Sequence, residues 1–72
     1  MPLNNEERAN HAFDALNEYL ESKGESIYAP DEEILSYEIS DLICDLLHLG
    51  DKRGFNYAEQ IDRALKHYRE EL

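Results

Sequence analysis

The sequence predicts an all-α fold: a compact three-helix bundle with a central second helix, in one domain spanning residues 1–72. Apolar residues recur at spacings of three and four in three segments, which is the periodicity of an amphipathic helix. Asparagine opens the first and third segments and glycine follows the first two, as expected at helix ends. No segment alternates in the manner of a strand, so we predict no β-structure.

Helix 1 is predicted over about residues 5–22. Asn4 is a candidate N-cap, and Glu7 three residues later completes a capping-box arrangement. Gly24 is the predicted end of the helix, since glycine adopts the left-handed conformation of a C-cap without steric cost. The apolar positions that share one face are Ala9, Ala12, Phe13, Leu16, Tyr19 and Leu20.

Helix 2 is predicted over about residues 31–49, with Pro30 in its first turn and Gly50 as its C-cap. Its acidic first residues, Asp31, Glu32 and Glu33, suit the positive end of the helix dipole. The apolar arc is about 160° wide at 100° per residue. Such a width suits a central helix that packs against two neighbours or against a dimer mate. The arc comprises Leu35, Ile39, Leu42, Ile43, Leu46, Leu47 and Leu49.

Helix 3 is predicted over about residues 56–70, opening at Asn56 with Glu59 in a second capping box. Its inner stripe contains Tyr57, Ile61, Ala64, Leu65, Tyr68 and Leu72. The tyrosines on the apolar stripes, Tyr19, Tyr57 and Tyr68, are therefore expected in the core or at its edge.

Charge is distributed unevenly along the chain. The first 51 residues hold thirteen acidic residues against Arg8 and Lys23, a net charge of −11, whereas residues 52–72 carry +1. Such a field attracts basic protein surfaces and disfavours direct binding to nucleic acid or membranes. The single Cys44, and the lack of an apolar leader or membrane-spanning run, favour a reducing, cytoplasmic setting.

Four acidic residues form the acidic stripe of helix 1, within about 60° of one another on the helical wheel: Glu7, Asp14, Glu18 and Glu21. A solvated face that keeps a small protein soluble is one interpretation. The other is a docking surface for a basic partner, since no lysine or arginine is interleaved to relieve the like-charge repulsion.

A second acidic ridge lies on helix 2, where the spacing ExxDxxxDxxH aligns Glu38, Asp41, Asp45 and His48. It is either a solvated ridge or, in combination with a second helix, a Mg²⁺ site. Tyr28, Tyr37 and Ile34 fall off the apolar stripes and are candidates for the apolar part of a binding surface.

No arrangement of residues predicts catalysis. His11, His48 and His67 are isolated in the sequence, and no neighbouring residue is spaced to act as nucleophile or base with them. The carboxylates near Cys44 disfavour a reactive thiolate. We therefore expect a protein that is not an enzyme and has no cofactor.

The C-terminal half resembles short helical proteins carried by phages, prophages and plasmids. Those proteins share a pattern close to DLLxDLxHLxD, a glycine-containing turn and a HYxEE-like tail, which here fall at residues 41–51 and 67–71. The resemblance implies a mobile-element protein. Small acidic proteins of that origin are often inhibitors of host defence or of nucleic-acid enzymes, and some imitate the charge of DNA.

Glu38 and Asp41 also form an ExxD pair similar to that of MazG-like nucleotide pyrophosphohydrolases, whose carboxylates hold Mg²⁺. In that family an EExxE helix precedes the pair, whereas here Glu32 and Glu33 are followed by Ser36. This resemblance implies an alternative: a minimal Mg²⁺-dependent pyrophosphohydrolase assembled as an oligomer.

The functional expectation is an acidic interaction protein, monomeric or homodimeric, that docks onto a basic, nucleic-acid-binding host protein and inhibits it. An antitoxin-like accessory subunit that neutralises a basic toxin is a further alternative. The expected contact residues are the acidic stripe of helix 1 with Ile34, Tyr37, Glu38, Asp41 and Asp45.

Overall fold

Three helices follow one another in a computed structural model that describes residues 4–25 and 31–72. They are α1 (Asn5–Ser22), α2 (Glu32–Lys52) and α3 (Tyr57–Glu70), and the described residues include no strand. Helix α2 contacts both α1 and α3. The predicted all-α three-helix bundle with a central second helix is therefore confirmed. Tyr28 and Pro30 lie outside the described residues.

Side-chain caps begin each helix. The Asn4 side chain accepts a hydrogen bond from the backbone N–H of Glu7 at 2.8 Å, and α1 begins at the predicted residue. The Asn56 side chain accepts from the N–H groups of Ala58 and Glu59 at the start of α3. Such caps satisfy backbone donors that have no partner within the helix.

Helix α1 ends at the predicted glycine. Gly24 has a φ of +76°, and its N–H donates to the carbonyl of Glu21 while the N–H of Glu25 donates to Leu20. This pair of hydrogen bonds is a Schellman motif, in which glycine takes the left-handed position.

The predicted end of α2 is wrong. Gly50 lies inside the helix, which continues to Lys52, and Gly54 with a φ of +77° takes the left-handed position of the terminating Schellman motif. Gly50 is buried where α2 meets α3, and a Cβ built on it would lie 2.5 Å from Oε1 of Gln60. The missing side chain thus leaves room for the Gln60 side chain of α3 to lie against α2.

The buried core is small. Of the described apolar residues, only Leu16 and Leu20 of α1 are buried, at 3% and 1% exposure. The expectation that Tyr57 and Tyr68 lie in the core or at its edge is wrong, since these side chains are 64% and 60% exposed. Neither α1 nor α2 covers these two side chains.

The first and third helices meet only near their outer ends. Nδ2 of Asn5 donates a hydrogen bond to the carbonyl oxygen of Glu71 at 2.7 Å. Arg8 forms an ion pair with the Glu71 carboxylate at 3.5 Å. These polar contacts join the beginning of α1 to the end of α3.

Candidate functional site

The acidic stripe of α1 points away from the core. Its members, Glu7, Asp14, Glu18 and Glu21, are all exposed. At 100° per residue the stripe is centred about 150° around the helix from the buried leucines. Among residues 4–25 and 31–72, no lysine or arginine nitrogen lies within 4.0 Å of these carboxylates. The stripe therefore presents its negative charge to solvent without a local counter-ion.

Some residues of the acidic ridge of α2 are exposed to solvent, and others lie at the contact with α1. Asp41 and His48 are exposed, whereas Glu38 is partly buried. Asp45 accepts a hydrogen bond from the hydroxyl of Tyr19 on α1. Tyr19 lies about 130° around α1 from the centre of the acidic stripe. The two acidic sets therefore occupy different sides of α1 and do not form one continuous cluster.

A polar cluster between α1 and α2 holds Asp45 in place. Nζ of Lys23 donates to the Tyr19 hydroxyl at 3.1 Å and lies 4.7 Å from the centre of the Tyr19 ring, which adds a cation–π contact. The sequence gives one signal for this cluster, the i,i+4 spacing of Tyr19 and Lys23. No spacing rule relates either residue to Asp45, so the third member could not be found from the sequence.

The cluster shifts the proton equilibria of two of its members. The hydrogen bond to Asp45 raises the pKa of Tyr19, because the carboxylate stabilises the protonated phenol, and Lys23 partly opposes this effect. The hydrogen bond to Tyr19 is the largest cause that raises the pKa of Lys23. Both groups therefore keep their protons to higher pH than their ordinary values would allow.

The exposed apolar candidates lie beside Asp41. Tyr37 is 65% exposed and Ile34 is 44% exposed. Ile34, Tyr37 and Asp41 follow one another at spacings of three and four residues and so share one face of α2. An exposed tyrosine and isoleucine next to a carboxylate form a small amphipathic patch, a composition that suits contact with another protein.

The residues proposed for Mg²⁺ are not assembled as a ligand set in this chain. Within the described ranges, no three histidine, cysteine, aspartate or glutamate side chains are grouped so that they could hold a metal ion. Asp45 is engaged with Tyr19, and Glu38 and Asp41 belong to a single helix. Carboxylates from another chain would have to complete any such site.

A large apolar cleft, not predicted as a site from the sequence, lies between α2 and α3. It encloses about 590 Å³, and its lining includes Ile43, Leu46 and Leu49 of α2, Phe55 of the connection, and Ile61 and Leu65 of α3. Among the described residues of its lining, Gln60 has the only polar side chain and none is charged. The width of the apolar arc on α2 was the sequence signal for this surface.

No family model, curated protein or solved structure matches the chain. Among the described residues, none of the helices combines the length and apolar character needed to cross a membrane.

Proposed function

We propose that this chain is a non-enzymatic acidic interaction protein of a mobile genetic element. In this proposal it docks onto a basic, nucleic-acid-binding host protein and inhibits it, as an anti-defence protein or DNA mimic. The acidic stripe of α1 is the observation that carries the proposal. Its four carboxylates are exposed and have no cationic neighbour within the described part of the chain.

An acidic stripe without counter-charges lowers the stability of the free protein. Like charges spaced three or four residues apart on a helix each destabilise it by a few tenths of a kcal/mol. A face that serves solubility alone can avoid this cost by mixing charges of both signs. A basic partner would relieve the repulsion on binding, and the field of the stripe would accelerate their encounter.

The patch of Ile34, Tyr37 and Asp41 would supply short-range contact in the same complex. Tyrosine buries a large apolar area with few rotatable bonds, and an interface needs such anchors beside its charges. The proposed division of roles is therefore long-range attraction by α1 and apolar contact by the outer face of α2. Glu38 and Asp45 would contribute less, because one is partly buried and the other is bound to Tyr19.

Capture from a host lysate tests this proposal, with bound proteins identified by mass spectrometry. At about 50 mM salt we expect capture of a nucleic-acid-binding protein, and at about 500 mM we expect its loss, because the screening length falls below 10 Å. The captured protein should also lose DNA or RNA binding when the acidic chain is added. Capture that persists at high salt, or no capture at either salt, would contradict the proposal.

Two matched charge variants separate the stripe from net charge. The stripe variant carries Asp14→Asn, Glu18→Gln and Glu21→Gln, and the control carries Asp62→Asn, Glu59→Gln and Glu70→Gln on α3. Both remove one aspartate and two glutamate charges from exposed helical positions. We expect only the stripe variant to lose the partner, with an affinity at least about tenfold weaker. Equal losses in both variants would show that the stripe has no specific role.

Assays of Mg²⁺ binding and nucleotide hydrolysis address the alternative enzyme. A pyrophosphohydrolase would lose metal binding in Glu38→Ala and Asp41→Ala, whereas a docking protein would show no metal signal to lose. The control Glu59→Ala removes an acidic side chain from the exposed face of α3. Magnesium-dependent hydrolysis that survives in this control and is absent in the first two variants would replace our proposal with the alternative.

A further inference from the structure

We infer that the apolar cleft between α2 and α3 is the interface of an obligate homodimer, in which it is covered by the same cleft of a second copy. This inference goes beyond the proposed function and concerns a different surface. It depends on the size of the exposed area, on the charge around the cleft and on what the single chain buries.

The chain exposes more surface than a compact monomer of its mass. The chain has a mass of 8.4 kDa and exposes 6301 Å², whereas a compact monomer of this mass exposes about 4,600 Å². Its radius of gyration is 13.6 Å, compared with about 11 Å for a compact domain of this length. The difference of about 1,700 Å² is a total for the whole chain, and the exposed side chains that line the cleft contribute to it.

Five of the twelve exposed large apolar side chains among the described residues lie together, where one partner could cover them. Ile43, Leu46 and Leu49 of α2 are each slightly more than half exposed, and Phe55 and Leu65 across the cleft are also exposed. All five line the same cleft. A contiguous apolar surface of this kind marks an interaction site, whereas scattered apolar residues do not.

The charge pattern favours a second copy over a basic partner at this surface. No charged residue in the described part of the chain lines the cleft, so the cationic side chains of a basic helix would find no counter-charge there. Residues 52–72, which include α3, carry a net charge of only +1. The α3 wall of the cleft therefore adds little charge repulsion between two copies.

The small core requires that the covering partner be present when the chain folds. Among the described residues only two leucines are fully buried, so little apolar burial offsets the conformational entropy lost on ordering three helices. A second copy is available wherever the chain is made. In a two-fold dimer each cleft both receives and supplies apolar side chains, so one substitution changes the interface at two symmetry-related positions.

The inferred interface leaves the proposed docking surface free. On the α2 wheel, Tyr37 and Ile34 lie roughly 140–160° from the centre of the cleft lining. The acidic stripe of α1 faces away from the core on a different helix. A dimer would thus present two acidic stripes and two amphipathic patches, which adds avidity toward a partner that offers two basic sites.

Sedimentation equilibrium with a matched pair of variants tests the inference. Ile43→Gln alters the cleft and Ile34→Gln alters the opposite face of the same helix; these isoleucines are 52% and 44% exposed, and both changes preserve net charge. We expect the wild-type chain at about 10 µM to have twice the monomer mass. Ile43→Gln should weaken the dimer about 100-fold, because two buried isoleucines are lost per dimer. Ile34→Gln should leave it unchanged.

Hydrogen exchange of the wild-type chain covers the case in which Ile43→Gln fails to fold. Raising the concentration from about 1 µM to about 100 µM should slow exchange in residues 43–50 and 61–65 and raise the melting temperature. A folded wild-type chain that is monomeric at about 100 µM would overturn the inference and leave the cleft to another partner. Equal loss of the dimer in Ile43→Gln and Ile34→Gln would also overturn it. Dimerisation should persist at about 500 mM salt, whereas the acidic docking should not, so failure of one proposal does not imply failure of the other.

Discussion

The close contact between α2 and α3 at Gly50 allows a quantitative prediction. In Gly50→Ala, the new Cβ would lie 2.5 Å from Oε1 of Gln60 and 3.3 Å from its Cδ. The first distance is too short for any carbon–oxygen contact, so the Gln60 side chain must move. Because Oε1 is the far end of a flexible chain, rotation can remove the clash at a cost of about 0.5–1.5 kcal/mol.

An opposing gain comes from the helix itself. Gly50 lies within α2 and has no positive φ, so alanine fits its backbone conformation. Replacement of glycine by alanine inside a helix stabilises it by about 1 kcal/mol. The two effects nearly cancel, and we expect Gly50→Ala alone to change the free energy of unfolding by no more than about 0.5 kcal/mol.

A double-mutant cycle separates the two effects. In Gln60→Ala the obstructing atoms are absent, so adding Gly50→Ala should stabilise the protein by about 1 kcal/mol. Urea denaturation followed by circular dichroism, at one fixed protein concentration, gives all four free energies. Destabilisation by more than about 2 kcal/mol in the Gln60→Ala background would show that the backbone of α3, rather than Gln60, limits the approach, and would refute this reasoning.

Two further changes test the core and the polar cluster. Leu20→Ala removes the most deeply buried side chain and should lower the free energy of unfolding by about 2–5 kcal/mol, enough to abolish the cooperative thermal transition. The control Leu72→Ala changes an exposed side chain and should leave that transition in place. Tyr19→Phe should destabilise the protein at neutral pH. The raised pKa values of Tyr19 and Lys23 mean that their stabilisation is fully present below pH 10.0, the ordinary Tyr value, and is lost as pH rises through the folded pKa values. Thermal melts at neutral and alkaline pH should therefore show a smaller difference between wild type and Tyr19→Phe at the higher pH, and an unchanged difference would contradict this assignment.

The helix starts were predictable because capping chemistry is local. Asn4 and Asn56 accept the backbone hydrogen bonds that their positions predicted. The end of α2 was not predictable from local rules, because two glycines within five residues, Gly50 and Gly54, could each terminate the helix. Gly50 lies against the Gln60 side chain of another helix, and of these two glycines only Gly54 has the positive φ of a C-cap.

Burial was harder to predict than helix position. Periodicity identifies an apolar face but does not show what covers it, and the described helices leave Tyr57 and Tyr68 of that face exposed. The acidic stripe of α1 was predictable because its residues share one helix. The engagement of Asp45 by Tyr19 was not, because it depends on how α1 and α2 pack.

The polar contacts at Glu71 have a consequence for the order of folding. Asn5 and Glu71 are 66 residues apart, whereas α2 contacts the helices that precede and follow it in sequence. Contacts between consecutive helices close short loops and form rapidly. The edge between α1 and α3 should therefore form last during folding and open first in the native protein. Amide protons near both ends of the described chain should then exchange through local opening, well before those at the centre of α2.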